Sequence, residues 1–235
     1  MEQPSNANAS PVMLQPGVGS AYGNGWNQLW KHFLDLLVIM IITWAISFAF
    51  SLPETIAQWR GNTMPLYWNL VSLAFTVLVL WPLNMGMNFA YLKAARGQKV
   101  DIGDMFEGFR NYWNVIAATF LLGLLIGIGL ILLIVPGIII ACKLAFVPYL
   151  VVDRKMGAAA AIDASWKMTG GHAGTVFLIG LLAIPIVIAG LICLGVGVIP
   201  ATMWVSLALA SLYHAVSTSG PQLMATPPST APPVA

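Results

Sequence analysis

The chain has 235 residues, 59% of them hydrophobic and only 8% charged, with a formal charge of +2 and a mean hydropathy of +0.84. Soluble domains carry roughly 25% charged residues, so this chain cannot cover a water-facing surface and most of it is solvated by lipid. The composition excludes a soluble enzyme, a disordered regulator and a disulfide scaffold, and Lys and Arg number only ten, with no basic face to bind nucleic acid.

Residues 1–28 carry one charge, Glu2, and are rich in Asn, Gln, Ser, Gly and Pro. Too little apolar surface is available there to offset the entropy of ordering, and a flexible tail is expected. No cationic region precedes an apolar run, so no cleavable signal is expected. The membrane domain, 29–216, follows. Its first span is 33–52, in which 12 Phe, Leu, Ile and Val residues favour insertion by about 4 to 7 kcal/mol. The second is 66–91, interrupted by Pro82 and carrying Asn84 and Asn88; the third is 113–135, with Gly123 and Gly127 spaced as a small-residue packing ridge.

Pro136-Gly137 reads as the turn into a fourth span, 138–152, which holds Lys143 and Pro148. Nine Phe, Leu, Ile and Val residues supply about 3 to 5 kcal/mol there, and a central lysine costs about 2.5 to 3.5, so insertion as a hairpin with span three is expected. Spans 173–194 and 198–216 complete six. The segment 217–235 is Pro-, Ser- and Thr-rich, lacks charge and reads as a second tail. Placing the N-terminus inside puts Lys31, Lys93, Arg96, Lys99, Arg110, Arg154, Lys155 and Lys167 on the inner side and Arg60 alone outside. The expectation is therefore an all-α polytopic bundle, N-in and C-in, in a bacterial cytoplasmic membrane.

Two inner loops are expected to form short interfacial helices. In one, Ile102, Met105, Phe106 and Phe109 fall at i, i+3, i+4 and i+7, with Asp101 as cap and Asp104 in the first turn. In the other, Asp163 and Lys167 are at i, i+4, Trp166 suits an anchor, and Gly170-Gly171 ends the helix. An offset of 57 residues aligns Phe120–Leu125 with Phe177–Leu182, consistent with a duplicated two-span unit.

Lys143 is the most expensive group at membrane depth. It either snorkels to the outer interface, forms a buried pair, or lines a path. Asn84 and Asn88, at i, i+4, read as interhelical hydrogen-bonding residues or, alternatively, an ion site. Asp101, Asp104 and Glu107 read as solvated and capping residues rather than a catalytic or metal cluster. His172 and His214 read as interfacial, and Cys142 and Cys193 as packing residues with no zinc or redox spacing. No catalytic, cofactor or metal motif is present.

The stretches Val135-Pro-Gly-Ile-Ile-Ile, Phe146-Val-Pro-Tyr-Leu-Val-Val-Asp153-Arg-Lys, Ala161-Ile-Asp-Ala-Ser-Trp166-Lys-Met-Thr-Gly and Pro200 to Tyr213 resemble the YciC-like bacterial integral-membrane proteins of unknown function. These are similar to the membrane domain attached to some glycerophosphodiester phosphodiesterases. The resemblance covers roughly 29–216 and implies a six-span α-helical bundle. It carries no chemistry over, since no phosphodiesterase domain is present. The leading expectation is a non-enzymatic accessory or organising partner of a membrane complex, contacting the bilayer and a membrane-protein partner or a second copy. The alternatives are a small transporter or channel using Lys143, Asn84 and Asn88, and a lipid-processing enzyme, which would need Asp153, Asp163 or the Asp101–Glu107 carboxylates to converge at the inner face, where Trp166 and Lys167 are further candidate positions.

Overall fold

A computed structural model describes residues 14–62, 64–193 and 196–219. Among them every regular element is a helix: α1 Val18–Lys31, α2 Phe33–Trp59, α3 Leu66–Phe75, α4 Trp81–Ala95, α5 Glu107–Arg110, α6 Tyr112–Leu132, α7 Ile134–Lys143, α8 Val147–Asp153, α9 Ala158–Met168, α10 Ala173–Ile192 and α11 Val198–Ser219. A π turn, Thr76–Leu80, joins α3 to α4, and a 3-10 turn, Ile102–Phe106, precedes α5. Six segments are long and apolar enough to cross a membrane: α2, α3 through α4, α6, α7 through α8, α10 and α11. The molecule is an all-α polytopic bundle.

The six segments form three hairpins. Their loops hold one end of the molecule, here the hairpin end; the opposite end carries Arg96, Arg110, Arg154 and Lys155, here the cationic end. In the first hairpin the Phe50 ring stacks on Phe75 at 3.8 Å and on Trp68 at 5.7 Å. The second turns at Leu133, whose extended backbone separates α6 from α7. That corrects the expected turn at Pro136-Gly137. Pro136 instead occupies the first turn of α7, where its missing N–H leaves no hydrogen bond unmade. The glycines that matter also differ from those expected. A Cβ on Gly129 would lie 3.0 Å from the Gly137 Cα, and one on Gly197 would lie 2.7 Å from the Gly190 carbonyl. Gly123 and Gly127, with Gly180 at the 57-residue offset, face open space and form no packing ridge.

The core lies toward the cationic end. The helix α4 is buried on most of its circumference, through Leu83, Met85, Ala90, Tyr91, Leu92 and Ala94, which explains its lack of an apolar side. Around it stand α11, α8, α1 and the 3-10 turn with α5. The latter is not one greasy helical face. Met105 and Gly108 press into α4, whereas Ile102 and Phe106 are exposed. Contact is backbone to backbone: a Cβ on Gly86 would overlap the Met105 carbonyl, and one on Gly108 would overlap the Pro82 carbonyl. Asp101 stands at the expected N-cap position, and Asp104 closes the capping box by accepting from the Asp101 N–H at 2.8 Å; Asp104 also pairs with Lys93 at 2.8 Å.

The largest departure from expectation is α1. The segment 18–28, read as part of a tail, is helical; residues 1–13 lie outside the described residues, as do 220–235 of the other expected tail. Ala21, Tyr22, Gly25 and Leu29 form a buried face against α11. Gly25 permits the approach, since a Cβ there would lie 3.0 Å from the Ala208 nitrogen. Trp204 Nε1 donates to the Tyr22 carbonyl at 3.0 Å, and Tyr22 Oη donates to the Ile179 carbonyl at 2.9 Å. Burial against an existing helix offsets the ordering entropy that the isolated segment could not. At the far terminus α11 runs on through Ser219, so 217–219 are helical too, with Ser217 buried.

Gly86→Ala is expected to lower unfolding stability in mild detergent by about 3 kcal/mol or more, because a backbone carbonyl cannot move aside as a side chain can. Gly123→Ala, facing open space, is expected to be neutral or stabilising by up to about 1 kcal/mol. Thermal unfolding of both variants checks the pair.

Candidate functional site

The polar side chains at the cationic end are placed by the ends of α4, α8 and α11. Arg96 follows the last residue of α4, and Asp153 is the last residue of α8. Their contact is bidentate, Nη1 to Oδ1 at 2.6 Å and Nη2 to Oδ2 at 2.7 Å, with the side chains 22% and 14% exposed. Burial works against the guanidinium's charge, and the hydrogen bonds and charge of Asp153 more than offset it, so the Arg96 pKa is raised above its ordinary value. Tyr213 Oη donates to Asp153 Oδ2 at 3.2 Å. The Tyr213 ring stacks on Tyr149 at 5.1 Å and meets Phe146 edge-on at 5.6 Å. Three spans therefore meet at one carboxylate, whose lone pairs are taken by a fixed cation and a phenol.

Three further carboxylates take cations of their own, Asp104 among them through Lys93. Asp163 takes Lys167 at 2.7 Å on the exposed side of α9, as the i, i+4 spacing predicts. Glu107 takes Arg110 at 3.3 Å and Lys155 at 3.6 Å. Among the described residues no three His, Cys, Asp or Glu side chains converge on a point. The Nδ1 atoms of His172 and His214 are buried without a partner.

Lys143 ends α7, and the chain then turns through Leu144–Phe146 before Pro148 opens α8. It lies ten residues, about 15 Å of helix, beyond the Leu133 turn. Its Nζ sits 5.7 Å over the ring of Trp166 on α9. The ammonium thus reaches toward the cationic end, opposite to the expected snorkelling direction, and it belongs to none of the ion pairs among the described residues. Asn84 and Asn88 are elsewhere. Asn84 Nδ2 donates to the Leu80 carbonyl at 2.8 Å and Asn88 Nδ2 to the Asn84 carbonyl at 3.0 Å. The exposed Asn84 lines a groove of about 800 Å³ between α2 and α4, with Thr43, Ser47 and Ser51 opposite and Trp44 and Phe48 beside them. Lys143 is not on that groove.

Residues that sequence reasoning passed over carry much of the polar structure. Pro82 has no N–H for the carbonyl of Leu78, four residues earlier, and Tyr112 Oη donates to that carbonyl at 3.1 Å. Asn24 Nδ2 donates at 2.9 Å both to the Ala95 carbonyl and to Ser211 Oγ. Asn111 Nδ2 donates to the Val151 carbonyl at 3.2 Å, and the Lys143 carbonyl accepts Ser165 Oγ at 2.8 Å and Thr169 Oγ1 at 3.1 Å. Only the Pro82 break carried a sequence signal.

These features define a multi-pass α-helical membrane protein whose polar groups are spent mostly on internal ties. No family model, curated protein or solved structure matches the chain.

Asp153→Asn leaves the Arg96 charge without its counter-ion and is expected to cost about 2 to 3 kcal/mol of unfolding stability. Tyr213→Phe is expected to cost about 1 kcal/mol. A double-mutant cycle with Arg96→Gln measures the coupling; none at all would mean that the pair does not hold α4 to α8.

Proposed function

We propose that this is a non-enzymatic multi-pass protein of the bacterial cytoplasmic membrane, with both termini inside, of the YciC-like kind, serving as an accessory or organising partner of a membrane complex. The observation that carries this reading is the groove between α2 and α4. Its polar lining, Thr43, Ser47, Ser51 and Asn84, lies within spans whose large exposed side chains are apolar, among them Ile41, Trp44 and Phe48. The three hydroxyls donate only to carbonyls of their own helix, and the Asn84 amide donates only to Leu80. Each has acceptor capacity left over; Thr43 is buried, but Ser47, Ser51 and Asn84 can offer theirs to a membrane helix carrying a polar side chain. The pairing of Asp153, Asp163, Asp104 and Glu107 with separate cations gives no support to an acid/base site. The separation of Lys143 from Asn84 and Asn88 gives none to a shared transport path.

The orientation rests on the cationic bias. With Lys93–Arg110 and Arg154–Lys167 inside, a membrane-impermeant maleimide applied to intact cells should label Asn62→Cys and leave Gln98→Cys unlabelled, in a background with Cys142 and Cys193 replaced. The converse pattern would invert the topology. For the partner, tagged full-length chain withdrawn from its native membrane in mild detergent should bring down a stoichiometric membrane protein. Asn84→Leu combined with Ser47→Leu should lower that recovery several-fold. Recovery of the chain alone would overturn the accessory reading.

A further inference from the structure

Helix α1 is not one of the six spanning segments, yet its contacts set it beside their interior. Gly25 meets the α11 backbone at Ala208, in the middle of that 22-residue helix. Ala208 is about 15 Å of helix from the start of α11 and about 8 Å short of Tyr213, which bonds Asp153 at the cationic end. Tyr22 Oη reaches the Ile179 carbonyl, about 9 Å along α10 from Ala173. Both α10 and α11 are long and apolar enough to cross a membrane. A helix seated at these levels is at membrane depth.

The polarity of α1 agrees with that depth. A helix docked on a bundle in water turns its polar side chains outward, and α1 does the reverse. The Asn24 amide points inward, donating to the Ala95 carbonyl and to Ser211 Oγ at 2.9 Å. Gln28 Oε1 is buried, and Ser20 Oγ turns back to accept the Gly17 N–H at 3.3 Å. Of the Ser, Asn and Gln side chains of α1 only Asn27 is exposed. The outward side carries Gly19, Gly23, Trp26 and Trp30, at i, i+4, i+7 and i+11, with the two indoles 45% and 59% exposed. No charge interrupts the helix before Lys31, its last residue.

We propose that α1 is a seventh membrane-embedded helix, whose Gly19, Gly23, Trp26 and Trp30 side faces lipid hydrocarbon and whose Lys31 end reaches the headgroup level. Trp30 beside Lys31 suits that level, where amphipathic rings and cations gather. With water excluded from the outward side, the Asn24 amide keeps its bonds to Ala95 and Ser211 without competition. The α2/α4 groove takes no part, so the partner reading stands or falls separately.

The test places a nitroxide on Gly19→Cys and, separately, on Gly23→Cys, where a Cβ meets nothing within 4 Å. The full-length chain, with Cys142 and Cys193 replaced, is reconstituted in vesicles of phosphatidylcholine and phosphatidylglycerol. Power-saturation electron paramagnetic resonance then compares collisions with oxygen, which concentrates in hydrocarbon, and with a water-soluble nickel chelate. Gly123→Cys on α6, facing open space, supplies the lipid standard, and the exposed Gln98→Cys the aqueous one. The oxygen-to-nickel ratio at both α1 positions should match that of Gly123→Cys and exceed that of Gln98→Cys several-fold. A ratio like that of Gln98→Cys at either α1 position overturns the proposal. Melting in the same vesicles gives a second readout. Leucine and glutamate have similar helix propensities, so Gly23→Leu and Gly23→Glu differ chiefly in what they present to their surroundings. Gly23→Glu should melt several degrees below Gly23→Leu, and equal melting would contradict a hydrocarbon setting.

Discussion

A backbone carbonyl released from a helix in lipid has no water to turn to, and this structure is organised around where such carbonyls go. Leu78 loses its partner to Pro82, Lys143 to the end of α7, Val151 to the end of α8 and Ala95 to the end of α4. Each is met by a side chain from another element: Tyr112 of α6, Ser165 and Thr169 of α9, Asn111 before α6, and Asn24 of α1. Each of these four breaks therefore doubles as a cross-tie. Apolar side chains gain little by meeting one another instead of lipid tails, so cross-ties and close backbone contacts are what distinguish one arrangement of greasy helices from another.

The close contacts follow the same economy of space. Gly86 and Gly108 bring the α5 segment onto α4, and Gly25 brings α1 onto α11. At the cationic end, Arg96, Asp153 and Tyr213 join α4, α8 and α11 through charge-assisted hydrogen bonds in a partly desolvated setting. Asp104, Glu107 and Asp163 are likewise committed to cations. On the sides of the bundle, the α2/α4 hydroxyls and the Asn84 amide donate only within their own spans, and the Lys143 ammonium has no ion-pair partner among the described residues.

The spans were legible in the sequence because a run of about 20 apolar residues has few other fates. The Asp101–Asp104 cap and the Asp163–Lys167 pair were legible because each depends on spacing within one short helix. Helix α1 was not. Its Asn, Gln and Gly content opposes folding in isolation, and only the Ala208 backbone, the Ser211 hydroxyl and the Ala95 carbonyl make Gly25 and Asn24 favourable. The Gly129–Gly137 contact was hidden because Pro136-Gly137 mimics a turn, whereas the chain reverses three residues earlier at Leu133. That same shift moves Lys143 deeper and turns its side chain toward Trp166. The Arg96–Asp153 pair joins residues 57 apart at the ends of different spans, and no local pattern announces it.

The claim on which the rest depends is that side-chain donors on released carbonyls hold the spans in register. Replacing both donors on the Lys143 carbonyl, Ser165→Ala with Thr169→Val, changes shape little and leaves a buried acceptor unpaired. Reversible unfolding of this double variant in mild detergent should show a loss of about 2 kcal/mol relative to wild type. A loss below about 0.5 kcal/mol, within the range of an ordinary surface substitution, would mean that apolar packing alone positions α9 against the α7–α8 break.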